Sequence, residues 1–150
     1  MLRKYYISLV ILLALAGACG GTQVDQKKSD TRYDLAVDFL RNGELDSAEQ
    51  EARKAIGYNA ENPQAFNVLG LVNLFRAVNN LSLLEVNDCL TGIDAEGLRQ
   101  EMESHLDRAD QNFGKATSFD KEFGEAYATR GVVALTLANY KKAIEPFERG

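Results

Sequence analysis

Few side chains in this chain have types and spacings that suggest chemistry: one histidine, His105, and two cysteines, Cys19 and Cys89. Glu101 precedes His105 by four residues, a spacing that puts carboxylate and imidazole on one helix face. Two ligands without a third are weak grounds for a zinc site. A structural histidine on an apolar helix stripe is the preferred alternative, so no metal site is expected. No Ser/His/Asp or Cys/His set for nucleophilic catalysis is recognisable, and Gly20-Gly21 is not part of a phosphate-binding loop. Neither enzymatic activity nor a cofactor is expected. Cys89 has two readings: a thiol that pairs with another cysteine, or a buried packing residue at a hairpin tip, which is preferred. Glu85, Asp88, Asp94 and Glu96 near that tip would attract a cation or a basic partner, but a solvated turn explains them more simply.

Cys19 belongs to a different pattern. Arg3-Lys4 is a positive start, Tyr5 to Ala16 is a short apolar run, and Leu15-Ala16-Gly17-Ala18 places small residues before the cysteine. This is the layout of a signal peptide, with residues 1–18 as the leader. The apolar part is shorter than the ~20 residues of a membrane-spanning helix. The small residues before Cys19 resemble a bacterial lipobox, with Ala16 where that motif usually has leucine. The resemblance implies cleavage before Cys19 and its lipidation. With Gly20 rather than aspartate next, it also implies sorting to the outer membrane, facing the periplasm. Residues 19–30 are polar and read as a flexible, lipid-anchored tether.

Composition bounds the rest. The 150 residues are 26% charged, with two prolines, no tryptophan and a formal charge of −5. Strand-type clusters are scarce while Ala, Leu, Glu, Lys and Arg abound, which predicts an all-α fold for residues 31–150. An acidic chain without a basic run excludes nucleic acid as the expected partner.

Apolar and small residues recur in a helix–turn–helix pattern. In Gly124 to Gly150 they fall at Ala126, Gly131, Ala134, Ala143 and Phe147, which predicts two short helices meeting at Ala138-Asn139, the second disturbed by Pro146. In residues 29–62, Leu35, Ala36 and Phe39 mark one helix and Ala48, Ala52, Ala55 and Ile56 the next, with a turn at Asn42-Gly43. Pro63 opens the next unit, where Phe66, Leu69 and Gly70 repeat the pattern. These units resemble tetratricopeptide repeats, which are helical hairpins of about 34 residues that stack into an α-solenoid. The starts at Ser29 and Pro63 are 34 residues apart, but Pro63 to Gly124 is 61, so the second unit (63–123) carries a 27-residue insertion. Leu71, Leu74, Phe75, Val78 and Leu81, and then Leu98, Met102, Leu106, Ala109, Phe113 and Ala116, keep helical spacing through it. A lengthened hairpin is therefore expected, turning near Asp88 to Asp94, with Asp94 capping a helix from Ala95 to Thr117. The third unit (124–150) lacks a capping helix, so further repeats are expected beyond it.

In the repeat family the first helix of each unit lines a concave groove. By register the resemblance assigns Tyr33, Val37 and Leu40 to that groove, then Asn67, Leu71 and Leu74, then Ala128, Val132 and Leu135. Seven of the nine are aliphatic, Ala128 included, which suits an amphipathic helix or an extended peptide. Covering of some of them by other helices is equally compatible with the pattern. Lipobox, tether and repeats together resemble the outer-membrane lipoproteins that act as pilotins for type IV pilus secretins. The resemblance implies an interaction adaptor whose partner is a segment of an envelope protein, most plainly a secretin subunit. A scaffold for cell-wall enzymes or another envelope complex is the alternative.

Overall fold

The computed structural model describes residues 24–86 and 92–148. They form five helices: α1 (Gln26–Arg41), α2 (Leu45–Tyr58), α3 (Pro63–Val86), α4 (Gly92–Phe119) and α5 (Gly124–Glu148). The all-α expectation holds, and there is no strand among the described residues. The leader, Cys19, Asp88 and Cys89 lie outside the described residues, while residues 26–30, expected to belong to the flexible tether, form the start of α1 because Ser29 is buried against Ala55 and Asn62.

Several helix starts and stops have a visible local cause. The Asp25 carboxylate caps α1 by accepting from the Lys28 N–H at 3.1 Å. That helix ends at Asn42, and Gly43 takes a φ of +77°, which a side chain would strain. This is the Asn42-Gly43 turn expected from the sequence. Asn62 then caps α3: its side-chain Oδ1 accepts from the Ala65 N–H at 2.9 Å, and Pro63 follows at the position where a missing N–H costs nothing.

Small residues set how closely α1 and α2 pack. Ala36 on α1 and Ala48, Ala52 and Ala55 on α2 are completely buried. Buried polar groups then lock three helices together. Ser29 Oγ donates to the Ala55 carbonyl at 2.9 Å, and Asn62 Nδ2 donates to Ser29 Oγ at 2.8 Å. Glu51, only 6% exposed, accepts from Arg32 at 2.9 Å and from Lys54 at 2.6 Å. Those cations, Lys54 first, hold its carboxyl below the ordinary glutamate range, outweighing the opposing effect of desolvation.

The long hairpin expected in 63–123 is present as α3 and α4, which pack along one another. At about 1.5 Å per residue they are roughly 36 and 42 Å long, well beyond α1 and α2. Met102, Leu106, Ala109, Phe113 and Ala116 are all buried, as the apolar spacing on α4 requires. They meet Phe66, Val68, Leu69, Val72 and Ala77 of α3 in one core. The start of α4 falls at Gly92, three residues before Ala95, so Asp94 is inside the helix rather than at its cap.

The third unit differs from expectation. Residues 124–148 form one helix, which continues through Ala138-Asn139 and includes Pro146. The turns among the described residues each carry a backbone signal: Gly43 in the left-handed region, Asn59 extended before Pro63, and Asp120 to Phe123 before Gly124. Ala138-Asn139 has neither glycine nor proline, and Tyr-Lys-Lys-Ala-Ile after it favours continuation. Ala126 and Val133 face the core from this helix, which packs chiefly on α4.

Candidate functional site

The nine residues assigned to the groove do not share one environment. Tyr33, Val37 and Leu40 on α1, and Leu71 and Leu74 on α3, are half-buried against the core. Asn67 is almost fully buried at 5% exposure. On α5, Ala128, Val132 and Leu135 are exposed, Val132 at 53% and Leu135 at 65%. The helical period explains that split. Ala126 and Val133 point into the core, which turns 128, 132 and 135 away from it.

Two helices meet at one polar point on this face. Asn67 Nδ2 on α3 donates to Glu125 Oε1 at the start of α5, at 3.3 Å. Tyr33 of α1 is close enough to be affected by the same carboxylate. Burial pushes its phenol up first, and the negative charges of Glu125 and Asp34 add to that. The Asn67 side-chain oxygen is buried and has no hydrogen-bond partner among the described residues. An unsatisfied buried acceptor costs about 1–3 kcal/mol. Glu125 has no ion pair among the described residues, and Asp38 is met only by Arg41 at 3.9 Å. The edge of the face formed by Asp34, Asp38 and Glu125 is therefore acidic.

At the other end of α1 lies an open cleft of about 310 Å³, lined by Leu40, Arg41, Gly43, Leu45, Phe75 and Asn79. Phe75 and the nearby Val78 are exposed large apolar residues that the repeat register did not assign to the face. Their spacing after Leu71 and Leu74 was the available signal, since i, i+3, i+4 and i+7 share a helix side. Glu125 had no such signal, because its role depends on Asn67, 58 residues away.

The remaining candidates find structural surroundings. His105 does not pair with Glu101. Its Nδ1 lies 3.1 Å from Asn73 Oδ1, and Asn73 Nδ2 donates to the Leu69 carbonyl at 2.8 Å. That orients the asparagine oxygen toward the imidazole, so Nδ1–H donates. Burial and the charges of Arg76 and Arg108 lower the His105 pKa, against the opposing pull of Glu101 and Glu49. Glu101 instead accepts from Asn80 at 3.4 Å. Among the described residues, no group of three or more His, Cys, Asp or Glu side chains is placed to hold a metal ion. No described helix is long and apolar enough to cross a membrane.

Comparison with protein-family models, curated proteins and solved structures found no match.

Proposed function

We propose that this chain is a membrane-anchored protein-interaction adaptor built from tetratricopeptide-like hairpins. Cys19 carries lipid and holds it on the outer membrane facing the periplasm. The face shared by α1, α3 and α5 takes a segment of an envelope protein. The observation that carries this is the exposed aliphatic row Ala128, Val132 and Leu135 on α5, together with the half-buried Tyr33, Val37 and Leu71. Such a surface, part apolar and part polar, suits a partner helix or strand better than open water.

Within that class, assistance to secretin assembly in the manner of a type IV pilus pilotin is the preferred role. Tethering would raise the local concentration of a secretin subunit and favour its multimerisation. The test is deletion of the gene followed by measurement of secretin multimers in the outer membrane. Multimers should fall and return with the intact chain, but not with Cys19→Ala or Leu135→Asp. Normal multimers after deletion would remove the pilotin role, and cross-linking that recovers peptidoglycan hydrolases would turn it to a cell-wall scaffold.

A further inference from the structure

The aliphatic face is not neutral along its length. Glu125, Asp34 and Asp38 border it, and its one buried polar side chain, Asn67, has an acceptor oxygen with no donor among the described residues. The amide is held only by the 3.3 Å contact from Nδ2 to Glu125. Resting on the reading above, we infer that the occupant of this face is a cationic segment, whose lysine or arginine sits at Glu125 and Asn67 with aliphatic side chains on Val132 and Leu135.

The chemistry requires two things of one group. It must give Glu125 a positive charge, and it must supply N–H donors to Glu125 and to the Asn67 oxygen. An ammonium or a guanidinium has several donors and no acceptor, so it satisfies both. A neutral amide supplies donors without charge, and a carboxylate supplies neither. On arrival of the cation a small turn of the asparagine amide about χ2, a torsion with a broad minimum, brings its oxygen to the same donor while Nδ2 keeps its contact with Glu125. The half-buried Tyr33 feels the negative charge of the same carboxylate and would flank the stem of the bound side chain. Arg130 is engaged by Asp110 at 2.6 Å and Arg32 by Glu51, while Arg41, whose charge also reaches Tyr33, is drawn to Asp38 at 3.9 Å.

The test uses the full chain in detergent micelles and three fluorescent amphipathic peptides of one leucine-rich sequence. These differ only in carrying Lys, Gln or Glu at the central polar position. Anisotropy should show the Lys peptide binding about tenfold tighter than the Gln peptide, with the Glu peptide weakest and the Lys advantage shrinking as salt rises. Glu125→Gln should remove the Lys advantage and Glu125→Lys should transfer it to the Glu peptide. Glu61→Gln, in the exposed loop before α3, should change nothing. Asn67→Leu should lower Lys-peptide affinity while circular dichroism reports an unchanged helix content. Equal binding of the three peptides, all lost with Leu135→Asp, would overturn the cationic preference but keep the apolar face as the binding site. No binding of any peptide, or binding unaffected by Leu135→Asp, would overturn both.

Discussion

Gly70 of α3 and Phe113 of α4 meet so closely that a Cβ on residue 70 would lie 2.5 Å from the ring. Phe113 is fully buried in the centre of the core, so the ring has nowhere to retreat. The close approach of α3 and α4 therefore depends on a hydrogen atom where every other residue type carries carbon.

Gly70→Ala tests that dependence because two effects oppose. Alanine favours the helix by roughly 1 kcal/mol over glycine, whereas overpacking a core costs about 1–3 kcal/mol. The ring contact should win, with a net loss of up to about 2 kcal/mol and a midpoint lower by up to about 8 °C by circular dichroism. Phe113→Leu in the Gly70→Ala background should recover part of the loss. A higher midpoint for Gly70→Ala alone would show that α3 and α4 sit further apart than described.

Asn62 joins α1, α2 and α3 through one side chain, donating to Ser29 and capping α3 at Ala65. Asn62→Ala removes a helix cap, worth about 1 kcal/mol, and leaves the completely buried Ser29 hydroxyl without that donor. A loss of about 2–3 kcal/mol in urea unfolding is expected. Asn62→Asp should retain the cap but not the donor and fall between the two. Equal stability of the alanine variant and the parent would mean that the cap and the Ser29 link are unimportant.

Protonation of His105 should weaken the fold. Its folded pKa lies below the ordinary 6.5, so the unfolded chain takes up the proton first. The sign follows: its contribution is present above about pH 6.5 and is lost as pH falls toward the lower folded value. Glu49 and Glu51, with lowered carboxyl pKa values, weaken the fold only at more acid pH, as their own protons return. Stability measured from pH 7.5 to 5.5 should therefore fall, and His105→Gln should flatten that slope. An unchanged slope in the glutamine variant would assign the effect to other groups.

Much of the fold was legible because burial follows period. The stripe from Met102 to Ala116 reads as one helix face from spacing alone, and Asn42-Gly43 and Pro63 punctuate the chain with backbone chemistry that has few other uses. What spacing could not show was relationship across distance. Asn67 reads as a groove residue by register, yet its burial and its hold on Glu125 depend on where α5 begins relative to α3. The third unit departs from its repeat-like spacing for a related reason. Ala143 and Phe147 have repeat-like spacing, but spacing does not bend a chain at Ala138-Asn139 without a glycine, a proline or a packing partner to reward the turn.

Substitutions at Val132 and Leu135 separate stability from recognition. Both side chains are mostly in water, so truncation removes little core packing and surface changes of this kind stay within about 0.5 kcal/mol. Val132→Ser and Leu135→Ser should therefore leave the thermal midpoint nearly unchanged, while Val133→Ser, one residue along and fully buried, should lower it clearly. If the open face is a binding surface, the first two should still weaken partner capture in cross-linking from membranes, by roughly tenfold for the pair if each costs a partially buried aliphatic contact. A large fall in the midpoint for Leu135→Ser would instead mean that this side chain is already packed, and that α5 has no open face to offer.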